Sequence, residues 1–114
     1  MTERVEEVIE LPVATIDNLD NIFKFFETIS LHHEDRSNRI VGLMLDDGYV
    51  AKLLELFVAL EAENNLIGLH KLFEIMKSIV MLNDSAMFEE LFRPEHVMNV
   101  MGVFECKPKV RIQL

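Results

Sequence analysis

Apolar residues recur at helical spacing in six successive segments of the chain, and turn-forming residues separate the segments. The Asp-Asp-Gly turn at residues 46–48 and Pro94, which is tolerated at the first position of a helix, are clear breaks. Strand-type alternation is rare. The pattern predicts an all-α chain, with helices over residues 15–31, 35–45, 49–62, 66–82, 85–92 and 94–104. The predicted N-caps are Thr15 or Asp17, Asp35 or Ser37, Asn64 or Asn65, and Asp84.

The apolar pattern also repeats. Residues 40–58 and 87–105 lie 47 positions apart, and all ten apolar positions of the second stretch fall on apolar positions of the first. A period of about 40–47 residues is typical of armadillo and HEAT repeats. We therefore expect an armadillo/HEAT-like α-solenoid segment with one complete three-helix unit and parts of its two neighbours. Such units do not cover their own apolar faces, so the apolar residues at both ends are expected to meet more of a longer chain or a second copy. These are Phe23, Phe25 and Phe26 at one end and Met98, Met101 and Phe104 at the other.

Charge and composition limit the classes of function. The chain is 50% apolar and has a net charge of −9, with nine acids against two bases in residues 1–35. This balance disfavours a nucleic-acid partner, which requires a basic surface. No apolar run is long enough to span a bilayer, and the acidic start does not resemble a secretory signal. We expect a soluble chain in a reducing compartment, with an acidic linker-like lead-in at residues 1–14, a helical domain at 15–114, and an inert thiol at Cys106.

The candidate chemistry for catalysis is weak. His32, His33 and Asp35 could in principle serve a small hydrolase, but consecutive histidines on a loop do not converge on a metal as i,i+4 ligands on a helix do. Phosphate-binding loops and nucleophile elbows are absent from the sequence. We therefore expect a chain that is not an enzyme and that has no metal site and no cofactor.

The fourth predicted helix carries the candidate binding site. Its apolar residues cover most of the circumference, so the helix is expected to pack on several sides. The polar remainder lies within about a third of a turn. In a helical-repeat stack this strip is expected to face the groove that binds partner segments, although a solvated face held by i,i+3 and i,i+4 pairs is the alternative. The strip consists of His70, Lys71, Glu74, Lys77 and Ser78.

Four stretches carry a family resemblance: DDGYVAKLLELF at residues 46–57, GLHKLFEIMKSIVMLN at 68–83, MFEELF at 87–92 and VMNVMG at 97–102. Together they resemble the SMEK domain of the protein phosphatase 4 regulatory subunit 3 family. The similarity runs from about Glu10 to Phe104 and includes spaced polar residues as well as apolar ones. It is lost at FECKPKV, residues 104–110, where the family has an aromatic-acidic-proline sequence.

The resemblance implies a non-catalytic role. Family members are expected to scaffold or target the phosphatase, together with its catalytic subunit and regulatory subunit 2, to phosphoproteins in the nucleus and cytoplasm. The EVH1-like domain and long helical continuation of the family are not in this sequence, so we expect an excised domain or a truncated relative. A self-associating helical-repeat protein of other function is the alternative.

Overall fold

A computed structural model of the chain describes residues 9–29 and 34–105, without the side chains of residues 34–36. Within these ranges the chain forms one short 3-10 turn, six α-helices and no strand. The prediction of an all-α fold is therefore confirmed. The 3-10 turn covers Ile16–Asn18, and the helices are α1 (Leu19–Ile29), α2 (Glu34–Asp47), α3 (Tyr49–Ala62), α4 (Leu66–Val80), α5 (Ser85–Leu91) and α6 (Pro94–Glu105).

Several helix boundaries follow from local chemistry. The side chain of Asn65 accepts a hydrogen bond from the backbone N–H of Gly68, and Asp84 caps α5 by accepting from the N–H of Met87. Asn64 is not the cap, because it adopts a left-handed conformation with φ 55°. These bonds satisfy N–H groups that have no partner within the helix.

Four predicted boundaries were wrong. Ser37 does not cap α2, which already begins at Glu34 and continues to Asp47, beyond the predicted end at residue 45. Acidic residues at the start of this helix suit the positive end of the helix dipole, so α2 starts before the serine. Thr15 precedes the 3-10 turn but makes no side-chain cap bond, and α4 ends at Val80 rather than at residue 82.

The helices stack in repeating layers. Besides packing on their chain neighbours, α1 contacts α4, α2 contacts α5 and α3 contacts α6. Each helix thus packs on the one three elements later, which is the arrangement of a solenoid built from three-helix units. The prediction of an α-solenoid segment of about six helices is confirmed. None of the described helices is long and apolar enough to cross a membrane.

The 47-residue repeat is visible in the core. Ile40 and its counterpart Met87 are both fully buried. Leu53 and its counterpart Val100 are also buried, with at most 2% of each residue exposed. A β-carbon at Gly102 of α6 would lie 2.9 Å from Cζ of Phe57 in α3, so the glycine allows these two helices to approach closely. The repeated apolar positions therefore place successive layers against each other in one core.

Residues 9–15 form neither helix nor strand, yet they lie against the helices. Ile9, Leu11 and Ala14 are half-buried against the core, and the hydroxyl of Tyr49 donates a 2.6 Å hydrogen bond to the carbonyl of Pro12. Tyr49 is the first residue of α3, so this bond ties the lead-in to the start of α3. The domain boundary at residue 15 remains a prediction.

The two ends of the stack differ. At the first end Phe26 is fully buried and contacts Phe25 and Tyr49, so the expectation that it meets another chain was wrong. Phe23 and Phe25 are half-buried against the core, and their contact with a further chain stays a prediction. At the other end Met98 is 77% and Met101 50% exposed. In the 47-residue register Met101 corresponds to Leu54, which is buried on α3, so Met101 occupies a position that one further helical layer would bury. Phe104 is half-buried and packs edge-to-face on Phe73.

Candidate protein-contact site

The predicted polar strip lies on the solvent side of α4. His70 and Lys77 are exposed, and Lys71, Glu74 and Ser78 are half-buried. The opposite side of α4 is buried and includes Leu72, Ile75 and Ile79. The structure therefore brings the five strip residues together on one accessible face, while their role in binding a partner remains a prediction.

One strip residue is held by a neighbouring helix. The ammonium of Lys71 lies 2.6 Å from a carboxylate oxygen of Asp20 in α1. This hydrogen bond and the positive charge of Lys71 lower the pKa of Asp20, while desolvation opposes them. The charge of Lys24 lowers the pKa by a lesser amount. The Asp20 side chain remains 70% exposed, so solvent screens the pair. The contact fixes the Lys71 side chain at the edge between α1 and α4.

The sequence interpretation missed the matching residues of α1. Shifting residues 19–29 by 47 positions superimposes them on residues 66–76 of α4. Four pairs are identical: Leu19 and Leu66, Lys24 and Lys71, Phe26 and Phe73, and Glu27 and Glu74. Lys24 and Glu27 are exposed on α1, as their counterparts are accessible on α4. The signal that could have identified these residues is the same 47-residue offset, applied to the first helix.

A cavity of about 190 Å³ opens between the amino-terminal ends of α1 and α4. Asp17, Asp20 and Lys71 supply its charged groups, and the exposed side chain of Ile67 lies on its apolar side. The amino-terminal ends of both helices line the same cavity, so α1 and α4 run parallel. The strip therefore continues across two helices and ends at a shallow recess between them.

A second group of charges serves helix packing. Arg93, between α5 and α6, lies 3.3 Å from Glu90 and 2.9 Å from Glu95, and Nε2 of His96 lies 3.4 Å from Glu90. The carboxylates of Glu90 and Glu95 raise the pKa of the Arg93 guanidinium. These contacts join the turn before α6 to its first residues.

Other candidates lie outside the described part. His32 and His33 are not described, and the side chain of Asp35 is not described although its backbone belongs to α2. Cys106 also lies beyond residue 105. Among the described residues no group of three histidine, cysteine or carboxylate side chains could hold a metal ion.

The fold and the strip define a class: an α-solenoid segment with a charged, accessible face along two parallel helices. The sequence model of phosphatase 4 regulatory subunit 3 matches residues 21–113, and the chain belongs to this family. It is 35% identical over 102 residues to serine/threonine-protein phosphatase 4 regulatory subunit 3 of Drosophila melanogaster, covering 90% of this chain and 10% of that protein. It is 32% identical over 103 residues to protein PPP4R3C1 of Mus musculus, covering 90% of this chain and 12% of that protein.

The chain thus spans about a tenth of the length of these relatives. No solved structure matches it. The predicted family resemblance is confirmed.

Proposed function

We propose that this segment is a non-catalytic scaffold element of a phosphatase 4 complex and that it acts through protein contacts. In this proposal it helps bring the catalytic subunit together with regulatory subunit 2 and phosphoprotein targets in the nucleus and cytoplasm. The observation that carries the proposal is the family match over residues 21–113. The similarity to the Drosophila relative, a phosphatase 4 regulatory subunit, supports the same role.

The strip on α4 is the proposed contact surface. Its polar side chains are accessible, whereas the opposite side of α4 packs against α1, α3 and α6. Surface charges of this kind contribute little to folding, since exposed pairs are worth about 0–1 kcal/mol. They are therefore free to serve recognition, and replacing them is expected to leave the fold intact.

The test uses affinity purification of the tagged chain from a reducing cell extract, followed by mass spectrometry for a phosphatase catalytic subunit. We expect the wild type to capture it and a variant with His70, Glu74 and Lys77 all changed to Ala to lose it. The matched control changes Lys52 and Glu55 on α3 to Ala and should still capture the subunit. These two residues carry opposite charges and lie three positions apart, as Glu74 and Lys77 do. A strip variant that melts like the wild type and still captures the subunit would overturn the proposal.

Self-association is the second candidate function. The exposed Phe92, Met98 and Met101 at the α6 end favour it, because large accessible apolar groups mark interaction surfaces. Sedimentation at two protein concentrations tests it: a concentration-dependent mass that Met98→Glu abolishes supports a homo-oligomer. A mass that stays monomeric at both concentrations removes this candidate.

A further inference from the structure

Another cavity, of about 460 Å³, opens between the lead-in and the carboxyl-terminal end of α2. Its volume lies within the range of small-ligand sites, so it has room for several side chains of a partner. One part of its lining is apolar and the other part is acidic. The described residues that line it are Ile9, Glu10, Leu11, Leu43, Asp46 and Asp47. We call this cavity the lead-in groove.

The apolar side of the lead-in groove is only partly covered by the fold. Ile9, Leu11 and Leu43 are half-buried, so each keeps apolar surface in contact with solvent. The hydrogen bond from Tyr49 to the carbonyl of Pro12 holds the lead-in in this position. The groove is therefore formed before any ligand arrives, and a site formed in advance loses less entropy on binding.

The acidic side of the groove carries charge that the chain does not balance. Asp47 lies 2.9 Å from the ammonium of Lys52. Glu10 and Asp46 are exposed, and within the part of the chain that the structure describes neither makes an ion pair or a side-chain hydrogen bond. Two of the three carboxylates are thus available to the cations of a partner. The groove fits a segment that carries both cations and apolar side chains.

The sequence contains one segment with this complementary composition. Residues 107–114 hold three cations and no acid, in a chain whose net charge is −9. No other stretch of eight residues in the sequence holds three cations. The segment lies beyond the described residues. Its cations are Lys107, Lys109 and Arg111, and its apolar residues after Pro108 are Val110, Ile112 and Leu114.

We propose that the lead-in groove of one chain binds residues 107–114 of a second copy. In an extended segment, successive side chains point to opposite sides. The cations of the bound segment then face Glu10 and Asp46, and its apolar residues lie against the apolar side of the groove. Each copy carries both the groove and the segment, so the contact is head-to-tail. The inference goes beyond the proposed phosphatase 4 function and does not depend on it.

The reach of the segment favours a second copy over the same chain. The first residues of α3 and α6 line one cavity, and Gly102 lies against Phe57 farther along both helices, so the two helices run in the same direction. The groove is at the start of α3, whereas residue 105 is at the far end of α6. The path back covers about 18 Å along the 12 residues of α6 and about 8–10 Å across to α3. The four residues from 105 to Lys109 span at most about 14 Å. Only the last residues of the segment could approach the groove of their own chain.

The first experiment measures the binding of a fluorescein-labelled peptide, KPKVRIQL, to the full chain by fluorescence anisotropy. A control peptide, KPKSRSQS, keeps the three cations and replaces the three apolar residues by serine. We expect the first peptide to bind about tenfold more tightly than the control, which corresponds to about 1.4 kcal/mol. Raising the ionic strength should weaken the binding of both peptides, because salt screens exposed charges.

The second experiment exchanges the charges and measures sedimentation at two protein concentrations. The groove variant combines Glu10→Lys with Asp46→Lys, and the segment variant combines Lys107→Glu, Lys109→Glu and Arg111→Glu. Each variant alone should associate at least tenfold more weakly than the wild type, because like charges then meet. An equimolar mixture should associate again, since each groove then finds a segment of opposite charge on the other variant. A loss of structure in either variant could not be restored by mixing.

The matched control combines Glu63→Lys with Glu89→Lys. It makes the same change of net charge at two exposed acids that do not line the groove. The control should bind the peptide and associate like the wild type, whereas the groove variant should bind the peptide about tenfold more weakly. Circular dichroism shows whether each variant is folded. Should the groove variant fail to fold, Asp46→Asn provides a milder readout and should weaken peptide binding about threefold.

A wild type that stays monomeric, or a mixture of two folded variants that does not associate, would overturn the inference. Equal binding of the peptide to the groove variant and the wild type would do the same. Association that Met98→Glu abolishes and the charge exchanges leave unchanged would assign the contact to the α6 end instead. Failure here is separable from failure of the proposed function, because capture of the phosphatase subunit from extract is measured independently.

Discussion

The hydrogen bond from Tyr49 to Pro12 predicts a measurable role for a single hydroxyl. Tyr49 is the only tyrosine in the sequence, and its ring is buried at the start of α3 with 1% exposure. The change Tyr49→Phe removes the 2.6 Å bond to the lead-in and keeps the ring that packs near Phe26. The variant therefore isolates the contribution of the hydroxyl.

The magnitude follows from the surroundings of the two groups. A hydrogen bond contributes about 0.5–1.5 kcal/mol net to the free energy of unfolding, and an acceptor left without a partner in the interior costs more. Pro12 is half-buried, so water can reach its carbonyl in part. We expect a loss of about 1 kcal/mol, or a decrease in Tm of about 4 °C for a domain of this size. The control Ser85→Ala removes an exposed hydroxyl and should stay within about 0.5 kcal/mol of the wild type.

Alkaline titration gives a second readout. Burial raises the pKa of the Tyr49 phenol, and the negative charge of Asp47 raises it further. A raised pKa in the folded state means that the stabilisation is fully present below the pKa of the unfolded chain, about 10, and is lost as the pH rises above it. The sequence has one tyrosine and no tryptophan, so near-ultraviolet absorbance reports tyrosinate at Tyr49 alone.

We expect tyrosinate absorbance to appear together with the loss of helical circular dichroism. Ionisation of Tyr49 at a pH near 10 in a chain that is still folded would refute the assigned burial. A Tyr49→Phe variant with the same Tm as the wild type at neutral pH would refute the assigned hydrogen bond.

Three further predictions concern the core and the α1 to α4 contact. Phe57→Ala should cost about 3–5 kcal/mol in a denaturant melt and reduce partner binding only through unfolding, so a binding defect in a variant shown to be fully folded would contradict it. Gly102→Ala should destabilise the chain in the same assay although alanine favours helix by about 1 kcal/mol, because the added methyl group meets the Phe57 ring. Adding Phe57→Leu should restore part of the loss, and strictly additive effects would argue against that contact. The pKa of Asp20 is lowered, so its stabilisation is present above the unfolded value of about 3.9 and is lost as the pH falls through the folded value. Asp20→Asn should therefore reduce the decrease in Tm between neutral pH and acid, and an unchanged decrease would show that the Lys71 pair does not form.

The helices could be predicted because their signals are local. Gly48 adopts φ 65° between α2 and α3, a conformation that glycine accepts readily, and α3 then runs over the predicted residues 49–62. Asn65 and Asp84 act as caps through bonds that span three residues. The layering was predictable too, since the 47-residue repeat of apolar positions requires equivalent helices to stack.

The contacts between layers could not be predicted in the same way. Lys71 pairs with Asp20 from a distant part of the sequence, and Tyr49 bonds to Pro12 across 37 positions. Such pairs depend on which faces of the packed helices meet, and spacing within one helix does not determine this. Phe26 shows the same limit: its apolar character predicted burial but did not distinguish burial inside this chain from burial against another.

The exposed methionines at the α6 end of the stack make this part of the surface sensitive to oxidation. Oxidation of methionine to the sulfoxide turns an apolar side chain into a polar one and proceeds where the sulfur is accessible. Met44, Met76 and Met87 lie in the core, whereas Met98 and Met101 at this end and Met81 directly after α4 are open to peroxide. Oxidant would thus convert the end of the stack to a polar surface and spare the interior. An association through this end would be sensitive to oxidation.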